Sequence, residues 1–149
     1  AASDVYKRQP QGRERIHRML AKSKYGETLL KLSRDNDTKH SIEFCDNRLS
    51  RFVASKGKCE LSKVSLAFED VECIYLNPPS QGGTDEYANL RIVQKDIKRL
   101  IYSTDVKIIK SLIDLFDCRA PAKIAKLNKW RAKAGLEAVN LITINQTLK

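Results

Sequence analysis

Apolar residues recur along most of the chain at helical intervals, and polar breaks divide it into short elements. Ile16, Met19 and Leu20, spaced i, i+3, i+4, predict a short basic helix over 12–23. Leu29, Leu30 and Leu32 form a second apolar cluster within 25–32. The polar stretch 33–40 reads as a linker, and 41–44 as extended chain or a turn. Leu49, Phe52 and Val53 make the buried stripe of a helix over 46–56, which Gly57 would end. Two short strands, 59–61 and 72–76, connected through 62–71, predict a β-hairpin with a long loop. Asn77-Pro78-Pro79-Ser80-Gln81-Gly82-Gly83-Thr84 is a loop by composition, and 87–90 a turn. Ile92 and Val93 fit a short strand, and 95–102 a helix. Thr104 and Asp105 suit the cap of the next helix, with Val106, Ile109 and Ile113 on one face and Ile108, Leu112 and Leu115 beside them. Pro121 fits the first residue of a last helix and Gly135 its end, with Ile124 and Leu127 facing inward.

With 149 residues, 42% apolar and 31% charged, the chain has the size and composition of one globular domain. It has no apolar run long enough for a transmembrane helix, and no leader pattern pointing to secretion. The cysteines at 45, 59, 73 and 118 contain no Cys-x-x-Cys pair, so free thiols and a cytoplasmic location are expected. Cys59 and Cys73 flank the predicted hairpin. They read as small buried residues, since a zinc pair would need two further ligands. The net charge is +10, and residues 119–149 alone carry seven basic side chains against one acidic. That field favours a polyanionic partner, nucleic acid ahead of a membrane. Lys123, Lys126, Lys129, Arg131 and Lys133 leave the last helix basic, and Trp130 on it reads as a core aromatic or a base-stacking one. The segment 1–9 has no hydrophobic period, and Asp4-Val5-Tyr6-Lys7-Arg8-Gln9 resembles translated adaptor DNA. With no initial Met, the chain is expected to be the tail of a longer protein. Four stretches follow: 1–9 as that segment, 10–40 as a connecting helical region, 41–118 as the central domain, and 119–149 as a basic helix and tail.

The central stretch carries a resemblance. Gly57-Lys58-Cys59, then Val71-Glu72-Cys73-Ile74-Tyr75, then Gly82-Gly83-Thr84-Asp85-Glu86-Tyr87-Ala88-Asn89-Leu90-Arg91-Ile92-Val93, then Lys95-Asp96 and Leu100-Ile101 resemble an HNH endonuclease domain. More narrowly they look like the C-terminal endonuclease region of group II intron reverse transcriptase/maturases. Asp46-Asn47-Arg48-Leu49-Ser50 before the motif and Lys126-Leu127-Asn128-Lys129 after it match that subgroup. The resemblance spans roughly 41–135. It implies an α+β fold in which a ββα-metal finger is held among several helices. It also implies cleavage of double-stranded target DNA, with group II intron RNA and the rest of the maturase chain as further partners.

In that family a histidine is the general base and other histidines hold a divalent metal that neutralises charge on the scissile phosphate. Carried over, the paired histidines fall on Ile74 and Tyr75, the helix ligands on Lys98 and Tyr102, and a frequent extra histidine on Gln94. Asn89 alone keeps its family identity, as the residue that orients the base. Isoleucine has no donor atom for a metal, and lysine puts a cation where a cation should bind. Tyrosine titrates near about 10, and bringing it to 7 requires roughly 4 kcal/mol of differential stabilisation. His17 and His40 both precede the finger, and His40 reads as a linker histidine. The expectation is therefore a binding domain whose cleavage is lost and which uses no cofactor, with Tyr75 and Asn89 at the old catalytic positions. Glu72 and Asp96 stand as an alternative, weak Mg²⁺ pair. Lys95, Lys98, Arg99 and Tyr102, at i, i+3, i+4, i+7, share the helix face that would meet DNA, with Lys98 supplying a fixed positive charge to a phosphate. Other readings are an active nuclease using non-histidine groups, and a structural module on intron RNA or the maturase.

Overall fold

The computed structural model describes residues 23–35 and 37–147. The helix expected over 12–23, with Ile16, His17, Met19 and Leu20, lies outside them except for Ser23. That serine caps α1 (Lys24–Arg34), its Oγ accepting from the Gly26 amide at 2.9 Å. α2 runs over Ile42–Ala54, four residues earlier at its start than the sequence reading placed it. Ser41 is its N-cap, with Oγ accepting from the Phe44 amide at 3.0 Å, so 42–44 is a helical first turn and not extended chain. Phe44 and Phe52 are its buried residues, while Val53 faces solvent. Gly57 has φ +73°, and a Cβ there would meet the Tyr25 ring at 2.5 Å, so glycine both ends α2 and admits α1.

The sheet has two antiparallel strands, β1 (Val71–Tyr75) and β2 (Leu90–Gln94), with Val71 opposite Gln94 and Tyr75 opposite Leu90. The strand expected over 59–61 does not form. The Cys59 amide donates to the Val64 carbonyl and the Lys63 amide to the Cys59 carbonyl, so the chain folds back on itself there. Lys63 has φ +68°, which no extended strand tolerates. Cys59 and Leu61 are both buried. Two apolar residues in three positions mimic strand alternation, but a tight loop buries them equally well. The Glu60 amide still reaches the Ile92 carbonyl at 2.8 Å, so this loop lies along β2.

β2 passes directly into α3 (Lys95–Tyr102), which has the bounds expected of it. Its inward residues Ile97, Leu100 and Ile101 are almost fully buried, each such side chain contributing about 1.5–3 kcal/mol. Asp105 caps α4 (Val106–Leu115), which buries Ile109, Leu112 and Ile113 but exposes Leu115. α5 (Pro121–Lys133) starts on its proline, with Leu127 and Trp130 buried. A further helix, α6 (Leu141–Thr147), closes on the same core through Ile144, where the sequence reading had only a tail. One core cluster takes in Leu32, Phe52, Ile74, Ile92, Leu127 and Ile144. Among the described residues the fold is thus α+β, mainly helical, around one small sheet. Among the described residues no helix is long and apolar enough to cross a membrane.

Candidate functional site

Within the loop between β1 and β2, the Asn89 side chain ties the two ends together. Asn89 Oδ1 accepts from the Asn77 amide at 2.8 Å, while its Nδ2 donates to the carbonyls of Asn77 at 2.9 Å and Thr84 at 2.7 Å. Both amide protons are used, so Asn89 fastens the loop to itself and has no donor left for Tyr75. Gly83 completes the clasp: a Cβ there would lie 1.7 Å from the Asn77 carbonyl oxygen.

Tyr75 and Ile74 are consecutive strand residues and point to opposite faces. Ile74 is buried in the core, and the Tyr75 ring tilts against Phe44 with centroids 5.6 Å apart. The Tyr75 hydroxyl donates to Asp85 Oδ1 at 2.7 Å. Asp85 Oδ2 accepts from the Ser41 hydroxyl, and the Asp85 carbonyl accepts from Asn47 Nδ2. The two bonds from Ser41 and Tyr75 hold the Asp85 carboxyl below its usual range. Burial first, and then the carboxylate it donates to, push the Tyr75 phenol further above its usual value. The Tyr75 hydroxyl is thus held as a donor to Asp85.

His40 is closer to this group than its place in the sequence indicated. Its ring stacks on Phe44 with centroids 4.0 Å apart, and its Nδ1 is 2.7 Å from Asp37 Oδ2. That bond is the main reason the Asp37 carboxyl is held low. Arg48 lies 3.1 Å from Asp35 and 3.7 Å from Asp37, fixing the segment before α2. Sequence reasoning gave Asp85 no role and treated His40 as a linker residue. The usable signals were Ser41 as a helix cap, which turns 40–44 toward the hairpin, and the Asp inside the Gly-Gly-Thr-Asp block.

On α3, Lys95 lies 3.7 Å from Asp70 and Lys98 lies 3.8 Å from Glu72, all half-exposed, and Arg99 is exposed. Tyr102 does not join this row of cations. Its hydroxyl donates to the Tyr75 carbonyl at 2.7 Å, and burial raises its pKa. The positions on which the resemblance places the histidines are therefore spread out: Ile74 in the core, Tyr75 on Asp85, Lys98 on Glu72, Tyr102 on backbone. Glu72 and Asp96 are each engaged elsewhere, Asp96 with Gln94 at the start of α3. Among the described residues no group of three or more His, Cys, Asp or Glu is placed to hold a metal ion. The cysteines are free, and burial pushes the Cys73 thiol up to about 12, which leaves it unreactive.

The basic helix needs one correction. Arg131 is only 3% exposed and is not available to nucleic acid. Its Nη1 donates to the carbonyls of Leu100, Ile101 and Ser103, and its Nε to that of Glu137. A long cation on an otherwise basic helix reads as surface, but the carbonyls at the end of α3 have no partner within their own helix and draw it inward. Trp130 is likewise a core residue. Lys123 is bound to the Ser62 and Asp117 carbonyls and Lys126 to that of Glu60, while Lys129 and Lys133 are exposed. Compared with protein-family models, curated proteins and solved structures, the chain matches none.

Proposed function

We propose that this chain is a degenerate HNH-type domain from the C-terminal region of a group II intron reverse transcriptase/maturase, one that grips target DNA and no longer cuts it. The observation that carries the reading is the order of parts: antiparallel hairpin, Gly-Gly loop fastened by Asn89, and a helix leaving the second strand without a break. The place of the base holds a phenol bound to Asp85, and the place of one metal ligand holds an ammonium. Lys98 supplies permanently the charge that a metal would lend, but it activates no water. Its pairing with Glu72 is a surface contact worth about 0–1 kcal/mol, so a phosphate can displace it. Lys95 and Arg99 extend the same face along a backbone.

The test is Lys98→Ala, titrated against labelled duplex DNA by fluorescence anisotropy at about 50 and about 200 mM salt. The reading expects weaker binding and a salt slope shallower by about 1. Unchanged affinity and slope remove α3 from the interface. A structured RNA in a parallel titration distinguishes target DNA from intron RNA as the tighter partner.

A further inference from the structure

Tyr87 and the end of α2 border an open cleft of about 310 Å³, none of whose lining residues belongs to α3. Arg51 lays its guanidinium over the Tyr87 ring, 4.5 Å from the centroid, and pairs with Glu60. Its Nε is buried with no hydrogen-bond partner among the described residues. The second Glu60 oxygen accepts from the Ile92 amide at 2.6 Å, so both oxygens of the carboxylate lining the cleft have a partner. Lys58 and Lys63 also line it, and Lys126 of α5, outside the lining, donates to the Glu60 carbonyl at 3.1 Å. Lys63 and Arg91 both act on the charge of Lys126, though the Arg91 guanidinium donates to the Ala88 and Leu90 carbonyls. Burial and these neighbouring cations hold the Lys126 ammonium below the usual lysine range. Lys63 is presented from a left-handed backbone, φ +68°, a strained conformation for a residue with a side chain. Arg51, Lys58 and Lys63 line the cleft against the single carboxylate of Glu60, so it carries a net positive charge that attracts an anion.

We propose that this cleft binds a phosphodiester of nucleic-acid backbone, held between Lys63 on its wall and Lys126 at the Glu60 carbonyl, with Arg51 fixed behind them on Tyr87. The proposal rests on the reading above only in taking the polyanion to be nucleic acid; it makes no use of α3. It adds a second anchor point, so the bound strand is fixed at two places on the protein.

The test compares the full chain with two double variants, Lys63→Gln/Lys126→Gln in the cleft and Lys95→Gln/Lys98→Gln on α3. Each is titrated with duplex DNA and with a hairpin RNA over a range of salt. The cleft variant is expected to lose about tenfold in affinity for the polymer that binds, with a salt slope shallower by about 1 for the phosphate released. If only the α3 variant weakens binding, the cleft is not a site and the inference is overturned while the reading above stands. If only the cleft variant weakens it, the inference holds and the α3 reading falls. If neither does, both fall. Amide shifts on the unsubstituted, ¹⁵N-labelled chain decide the matter if the cleft variant fails to fold. Perturbation of Lys63 and Tyr87 on adding duplex or hairpin supports the site, and shifts confined to α3 overturn it.

Discussion

Replacing Arg131 by methionine removes the guanidinium and keeps a long apolar side chain in its place. The arginine donates to Leu100 at 3.2 Å, Ile101 at 2.9 Å, Ser103 at 2.8 Å and Glu137 at 2.8 Å. Leu100 and Ile101 sit in the last turn of α3 and Ser103 just beyond it, so none of these carbonyls has an intrahelical acceptor role to fall back on. A hydrogen bond from a charged donor contributes about 1.5–3 kcal/mol, and a buried acceptor left unpaired costs about 1–3 kcal/mol. Removing a cation from a site that desolvates it returns part of this, since burial already disfavours the charged form of Arg131. We expect a net loss of about 3–4 kcal/mol, a large share of the roughly 5–15 kcal/mol typical of a domain. Urea unfolding followed by circular dichroism measures it, and Arg131→Lys, which keeps charge but not the planar fork, should fall between. A loss below about 1 kcal/mol would refute the reasoning, because it would mean the three carbonyls are satisfied without the guanidinium. The same variant separates structure from binding. Where it remains folded, its affinity for nucleic acid should be unchanged, and a selective fall in affinity would return Arg131 to the interface.

Other expectations concern the hairpin. Asn89→Ala removes three hydrogen bonds that hold the loop to Asn77 and Thr84, and should cost about 2 kcal/mol and speed hydrogen exchange at the Asn77 amide. Gly83→Ala drives a Cβ into the Asn77 carbonyl, so it should lower the melting temperature more than alanine at exposed Ser80 does. Asp37 and Asp85 both have depressed carboxyl pKa values, so their contribution is complete above the unfolded value of about 3.9 and is lost as pH falls below it through the folded values. Asp85→Asn should therefore flatten the acid limb of a stability-against-pH curve; an unchanged limb would mean that Ser41 and Tyr75 do not favour the ionised carboxyl.

The helices were legible where apolar spacing was strong or a cap marked the start. The bounds of Lys95–Tyr102 were read from the sequence, and Asp105 marked the start of its neighbour. The α2 start was missed because Ile42 is 82% exposed and so adds nothing to the apolar stripe; only the capping serine marks it. The loop at 59–64 was misread because burial at alternate positions does not require extended backbone, and Lys63 gives no warning of a positive φ. The hairpin site was legible as a motif and not as contacts. Asn89 stood out through the resemblance, but its partners are backbone atoms, which carry no residue identity. His40 and Asp85 were hidden because one lies before α2 and the other in a loop, and tertiary contacts, Phe44 on Tyr75 and Ser41 on Asp85, bring them to one place. Arg131 shows the converse: composition places a cation outside, and unpaired carbonyls place it inside.

Supercoiled plasmid incubated with the full chain and Mg²⁺, Mn²⁺, Ni²⁺ or Zn²⁺, then run both native and after deproteinisation, tests the central claim most directly. The account predicts a retarded plasmid on the native gel and an intact supercoiled band once the protein is stripped, with every metal. Metal-dependent conversion to the open circle would contradict it, and so would a plasmid that migrates as though no protein were present.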